Sequence, residues 1–324
     1  MSKLSSIRVP VKEEMLKFEA YFNDNLKTDI PLLKIILNYV LRRKGKQMRP
    51  LLVFLSAGLN GTITESTHLA ATFIELLHTA TLVHDDVVDD SNERRGALSI
   101  NALWNSKIAV LTGDFLLSQG LLISVRKNQY DMLEIMSSAV QAMSEGELLQ
   151  LQKARKLDIT EDIYFRIIRM KTATLISACT ETGTKSVTND SETIRKMKDL
   201  GENIGMAFQI RDDIFDYEDH GLTGKPAGND IREKKITLPL IHALGQVEKR
   251  EKKQILNIVG SKKKSAREVK KVVTFVLENG GLDYASEMMD KFRDKALAIL
   301  DTYDDSQYKK SMAEFIYYTT SRHK

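Results

Sequence analysis

The sequence predicts an all-α protein, a single domain over 1–324 with roughly ten or more helices. Three observations carry that expectation. The chain has five prolines, Pro10, Pro31, Pro50, Pro226 and Pro239, and none between 51 and 225. Proline in a helix interior costs about 3 kcal/mol, so this stretch reads as helix after helix. Apolar residues recur at helical intervals along most of the chain, and no βαβ rhythm, fixed-period repeat or low-complexity linker interrupts them.

The clearest element is "HLAATFIELLHTATLVHDDVVD" (68–89), where Leu69, Phe73, Leu76, Leu77, Ala80 and Val83 fall at helical spacing. Similar patterns predict helices over 106–127, 130–155, 160–182, 191–218, 236–258, 266–279 and 284–300. Glycines punctuate the series at Gly61, Gly96, Gly183, Gly260 and Gly280–Gly281. The lysine-rich "EKREKK" and "SKKKSAREVKK" read as solvated helix faces and loops, with a phosphate or membrane role as the lesser alternative.

Composition bounds the function. A chain of 324 residues with 42% hydrophobic and 28% charged residues has the balance of a soluble globular protein with a sizeable core. A net charge of +4 is too small to argue for nucleic acid. The single cysteine, Cys179, cannot build a disulfide framework, so a reducing cytoplasm is expected. The start, "MSKLSSIRVPVKEEM", has no apolar run of signal-peptide length, and no segment reaches the roughly 20 apolar residues of a bilayer span.

Two acidic clusters stand out. "HDDVVDD" (84–90) concentrates four aspartates, and nothing in a helix offsets their repulsion. "QIRDDIFD" (209–216) repeats the i, i+1, i+4 spacing of Asp85, Asp86 and Asp89 in Asp212, Asp213 and Asp216. On a helix, i and i+4 share a face with i+1 beside it. One such cluster could be a solvated face; two, each following an apolar run, argue for a cation. Oxygen donors without histidine or cysteine suit Mg²⁺, which keeps waters, takes one or two carboxylates and is completed by phosphates.

Phosphates call for cationic side chains, and these accompany the clusters. "RRKGKQMRP" (42–50) carries Lys46 and Arg49, Arg94 and Arg95 follow the first cluster, and Lys225 and Lys235 follow the second. Singly each reads as an ordinary surface charge; arginine, though, stays charged and meets phosphate bidentately.

With "GKQMRP", "LLHTATLVHDDVVDDSNERRG", "GDFLLSQ", "MKTATL", "GMAFQIRDDIFD" and "DIREKKITLP" in this order, the chain from about residue 40 to 245 resembles the trans-isoprenyl diphosphate synthases, the polyprenyl synthetase family. The resemblance implies the isoprenoid synthase fold, helices around a deep central cavity, usually in a homodimer. It implies head-to-tail condensation of isopentenyl diphosphate onto an allylic diphosphate. By motif, Asp85, Asp86, Asp89, Asp212, Asp213 and Asp216 would hold two or three Mg²⁺ ions that bridge the allylic diphosphate. Arg94, Lys171 and Lys235, with Lys225 nearby, match contacts to that diphosphate. Gly45, Lys46, Arg49, His78 and Arg95 match the isopentenyl diphosphate pocket, and Thr172 and Gln209 lie near the reacting carbons.

Other readings remain on the page. A class I terpene cyclase has one aspartate-rich motif and no need of "GKQMRP". A non-catalytic subunit of a heteromeric synthase commonly loses one aspartate motif, and both are intact here. A phosphatase lacks its metal histidines. His78 lies seven residues before Asp85 on nearly the same helical face, which favours the pocket over a satisfied core histidine. Trp104, Met206 and Phe208 read as packing residues.

Product length is read from the helix before Asp85. Thr81, Ala80, Leu77 and Ile74 lie on or near the aspartate face, with Ile74 on the order of 16 Å below it. Short-chain members of the family typically place bulky residues at the two positions held here by Ala80 and Thr81. The expectation is a long product of roughly 30–50 carbons, octaprenyl for example, with farnesyl or geranylgeranyl diphosphate as the alternative. Each five-carbon unit buries apolar surface worth about 3–4 kcal/mol, so transient membrane contact would help release.

Overall fold

The computed structural model describes residues 3–42, 45–94, 96–218 and 228–321. The fold is all-α; its one sheet among the described residues is a two-stranded hairpin pairing Glu93 with Leu98 and Arg94 with Ala97. The chain divides into two compact units.

The first unit comprises 1–138, 178–198 and 303–312. Its helices include Lys12–Asp24, Pro31–Arg42, Met48–Asn60, Glu65–Val88 and Ser106–Arg126. Pro31 and Pro50 stand in the first turn of their helices, where the missing N–H has no intrahelical partner to lose. Thr64 caps helix 65–88 through a reciprocal bond with Thr67. Most of the middle of that helix is buried, with Ile74 and Leu76 at 0% exposure. Each such side chain contributes about 1.5–3 kcal/mol of transfer free energy. Two glycines let helix 106–126 lie close against it. A Cβ on Gly113 would stand 2.2 Å from His84 Nε2, and one on Gly120 would stand 2.5 Å from Phe73 Cδ2.

The second unit comprises 139–177, 199–302 and 313–324. It contains most of helices Tyr130–Lys156 and Ser191–Phe215, and all of Glu161–Ile168, Asn229–Arg232, Leu238–Gly245, Lys249–Gly260, Ala266–Glu278 and Gly281–Asp301. One apolar cluster centres on Leu240, Val259, Val272 and Val276, another on Met206, Ile210 and Leu238.

Two expectations need correction. The single helix over 236–258 is two, Leu238–Gly245 and Lys249–Gly260. Gly183 is not a break but lies inside helix Thr174–Lys185. Its Cβ would stand 2.4 Å from the Val53 carbonyl oxygen, so glycine serves helix packing there. The lysine-rich stretches do lie largely exposed. Cys179 is buried and in no disulfide, and burial pushes its thiol up to about 12, which disfavours the reactive thiolate.

Candidate active site

In the first unit, helix 65–88 carries Asp85 and Asp86 in its last turn and ends on Asp89 as C-cap. Asp86 is buried, Asp85 half-buried and Asp89 exposed. The backbone carbonyls of Asp85 and Asp86 accept from Asp89 N (2.8 Å) and Ser91 N (2.9 Å). A helix C-terminus already carries partial negative charge, so carboxylates there are disfavoured by roughly 0.3–1 kcal/mol each, on top of their mutual repulsion. The second motif repeats the arrangement, with Asp212 and Asp213 in the last turn of helix 191–215 and Asp216 just beyond it. Helix-end placement strengthens the cation reading in both units.

Within the first unit Arg49 Nη1 lies 2.8 Å from His78 Nε2, which joins two of the expected pocket residues. Lys46 is exposed, and its carbonyl accepts from Arg8 Nη2 at 2.6 Å. A mainly apolar cleft is lined by Gly45, His78 and Asp86 together with Phe18, Phe22, Leu37 and Leu82. The expected chain-length residues are not part of that lining. Leu77 and Ala80 are buried at 1% and 2% exposure, on the helix face that Phe73 and His84 turn toward helix 106–126. Thr81 is half-buried, and its hydroxyl donates to the His78 carbonyl at 2.9 Å. The Arg94 side chain, Arg95 and Lys225 lie outside the described residues.

In the second unit Lys171, Thr172, Gln209, Asp212, Asp213 and Lys235 line one cavity. Lys171 and Thr172 stand in a π-helical turn, Arg169–Ala173, a local feature frequent at functional sites. Two glycines make room for it: a Cβ on Gly205 would stand 2.5 Å from Ala173 Cα, and one on Gly146 would stand 2.9 Å from Met170 Cβ. Lys171 pairs with Glu147 and donates to Gln150 Oε1 at 3.3 Å. Lys235 pairs with Glu233 at 2.6 Å.

The three carboxylates of the second motif differ. Asp212 is exposed. Both oxygens of buried Asp213 accept, one from the Tyr164 hydroxyl (2.6 Å) and one from Gln209 Nε2 (2.8 Å). Both oxygens of Asp216 accept from backbone, Asn229 N at 2.9 Å and Asp230 N at 3.0 Å, which ties down the segment leading to Lys235. Burial raises Asp213 well above the carboxylate range and raises Asp216 as well, the latter opposed by those backbone N–H groups. Asp230, half-buried in the lining of the same cavity, is pushed up to about 7 by desolvation and then by the Asp216 charge.

Sequence reasoning missed Tyr164, Asp230, Glu147 and Gln150. Asp230 stood inside a quoted motif and carried a signal; Tyr164 carried none, since only the packing of its helix brings it to Asp213.

Among the described residues no group of three or more acidic, histidine or cysteine side chains encloses a metal by itself. That donor set fits a hard cation taking one or two carboxylates here and its remaining ligands from water and phosphate.

The all-α fold, with a carboxylate cluster at a helix end in each unit and Lys171 and Lys235 lining the cavity of the second, agrees with a class of helical enzymes that act on diphosphates. The chain belongs to the polyprenyl synthetase family, whose model matches residues 30–276, and is thus an enzyme that transfers prenyl groups. It is 35% identical to the all-trans-nonaprenyl-diphosphate synthase (geranyl-diphosphate specific) of Rhodobacter capsulatus, over 94% of each chain. In structure it is similar to a decaprenyl diphosphate synthase from Rhodobacter capsulatus, with a TM-score of 0.93, 30% identity and 98% of each chain covered. It is also similar to a geranylgeranyl pyrophosphate synthase from Bacteroides thetaiotaomicron, with a TM-score of 0.86 and 37% identity over 99% of this chain and 100% of that one.

Proposed function

We propose that this chain is an all-trans polyprenyl diphosphate synthase that condenses isopentenyl diphosphate head to tail onto an allylic diphosphate and makes a long product. The observation that carries it is the convergence of Lys171, Thr172, Gln209, Asp212 and Lys235 on one cavity. Lys171 and Lys235 meet the allylic diphosphate, each leaving its carboxylate partner to do so. Asp212, and in the first unit Asp85, Asp86 and Asp89, hold Mg²⁺, two or three ions in all. Bound Mg²⁺ supplies charge neutralisation to the leaving diphosphate. The allylic carbon–oxygen bond breaks with its electron pair going to diphosphate. The isopentenyl double bond then attacks the allylic carbon, and the released proton goes to the departed diphosphate. Thr172 and Gln209 offer the allylic cation oxygen dipoles in place of water. Gly45, Lys46, Arg49, His78 and Arg95 bind isopentenyl diphosphate, and Arg94 and Lys225 assist with the allylic diphosphate.

Small residues at Ala80 and Thr81, with the nonaprenyl and decaprenyl synthases among the relatives, support the long product. The 37% identity to a geranylgeranyl synthase favours a second reading, a 20-carbon product. The family match over residues 30–276, which draws on both units, supports reading 1–324 as a single polyprenyl synthetase domain. Val110, Leu111, Leu122 and Val125 are exposed along helix 106–126, an apolar strip suited to a second copy of this chain in a homodimer. Ile30, Leu32 and Ile35, exposed beside Lys27 and Lys34, suit brief contact with an anionic bilayer at release. The site of action is the cytoplasm.

The test is incubation of purified protein with Mg²⁺, geranyl, farnesyl or geranylgeranyl diphosphate and labelled isopentenyl diphosphate, followed by chromatography of the dephosphorylated products. Polyprenols longer than geranylgeraniol are expected. Geranylgeraniol alone establishes the second reading, and no extractable product overturns both.

A further inference from the structure

Four side chains of the second unit form one directed chain of hydrogen bonds. The Tyr164 hydroxyl donates to Asp213 Oδ2 at 2.6 Å, Gln209 Nε2 donates to Asp213 Oδ1 at 2.8 Å, and the Thr172 hydroxyl donates to Gln209 Oε1 at 2.7 Å. Tyr164 and Asp213 are buried at 3% and 4% exposure, whereas Thr172 and Gln209 are half-buried.

The direction of this chain has a chemical consequence. A glutamine amide has nearly the same shape when turned over, so its orientation is set by its partners. Asp213 accepts at both oxygens, and these two hydrogen bonds favour its ionised form against the burial that raises it; turned over, Gln209 would press its carbonyl oxygen against that carboxylate, acceptor against acceptor. With its other oxygen occupied by the Tyr164 hydroxyl, Asp213 receives at both ends. Gln209 is therefore held with its amide nitrogen toward Asp213 and its oxygen toward Thr172. The Thr172 hydroxyl has one hydrogen, and Gln209 takes it. What remains of that oxygen for the cavity is its lone pairs. A neighbouring allylic cation is stabilised by lone pairs and opposed by a hydroxyl hydrogen.

We propose that Tyr164 and Asp213 are positioning residues that fix the direction of the Thr172 hydroxyl, so that the cavity presents an oxygen lone pair to the developing cation. The inference rests on the prenyl transfer proposed above. It assigns Asp213 to orientation, while Asp212 beside it serves the metal.

A double-mutant cycle tests it. Tyr164→Phe keeps the ring and its packing and removes one hydroxyl. Its kcat for condensation should fall on the order of tenfold or more, with KM for both diphosphates within about twofold of wild type. Thr172→Val should lose a similar factor, whereas Thr172→Ser, which keeps the hydroxyl, should recover most of it. In the Thr172→Val background, Tyr164→Phe should then have almost no further effect on kcat, because the group it orients is gone. Asp213→Asn, which is nearly isosteric and meets Thr172 through Gln209, gives the same cycle and serves if Tyr164→Phe melts early. Wild-type kcat in Tyr164→Phe, or equal losses with and without the Thr172 hydroxyl, overturns the proposal. A wild-type protein that elongates no allylic diphosphate overturns instead the function on which it rests.

Discussion

Arg49 Nη1 stands 2.8 Å from His78 Nε2, and arginine can only donate. His78 Nε2 is therefore the acceptor, and a neutral ring carries its proton on Nδ1. The histidine aims the guanidinium rather than competing with it for an anion, which gives a buried histidine on an apolar helix a specific task.

That pairing separates two substrates. His78→Ala should release the Arg49 side chain and raise KM for isopentenyl diphosphate on the order of tenfold, with KM for the allylic substrate little changed. Arg49→Ala and Lys46→Ala should act in the same direction, whereas Lys235→Ala should lower kcat. Steady-state kinetics with each substrate varied in turn checks this. Equal effects on both constants in every variant would remove the distinction between the pockets.

Asp85→Ala or Asp212→Ala should reduce Mg²⁺-dependent turnover by several orders of magnitude. Both aspartates sit in the last turn of a helix, amid other carboxylates. Removing either charge in the absence of metal should therefore leave the fold intact and raise Tm slightly. Calorimetry in chelator and assays in excess Mg²⁺ read the two effects separately, and near-native turnover in either variant would rule out the metal assignment.

Asp230 predicts a pH dependence. Its folded-state value, pushed up to about 7 by burial, lies above the unfolded carboxylate value, so the folded protein holds the proton more tightly. The stability this group contributes is present in full below the unfolded value and is lost as pH rises toward 7. Metal-free wild type should thus lose Tm relative to Asp230→Asn across that window, and the two curves should run parallel above it. A difference in Tm that stays constant from pH 4 to 8 would mean Asp230 does not titrate there.

Ala80→Phe tests product length. Ala80 is 2% exposed and faces the side on which Gly113 and Gly120 draw helix 106–126 near. A phenyl ring there should shorten products to about 15 or 20 carbons if the growing tail uses that face, at an overpacking cost of about 1–3 kcal/mol. Reversed-phase chromatography of the products, with Tm measured alongside, decides it. Unshortened product from a folded variant would show that the tail runs elsewhere, for instance along the Leu82 and Asp86 side, which lines the apolar cavity.

Much of this protein was legible in its residues alone, because helical periodicity, proline avoidance and acidic spacing are local properties. Helix 65–88, both aspartate motifs and the cations beside them follow from chemistry within a few residues of each other. Thr172 and Gln209 were found through the resemblance, but the bond between them was not. The break between Leu238–Gly245 and Lys249–Gly260 escaped the sequence reading because Gly245, which ends the first helix, does not read as a stop on its own, and no proline marks the join.

The sequence by itself determined the fold class, the family and the two carboxylate clusters. Only the tertiary structure decided what each carboxylate does. Asp212 is exposed, Asp213 accepts from Tyr164 and Gln209, and Asp216 accepts from the backbone of Asn229 and Asp230. The physical reason is that burial and hydrogen-bond partners come from segments distant in the chain. Tyr164 reaches Asp213 across 49 positions of sequence, and no local pattern encodes that meeting.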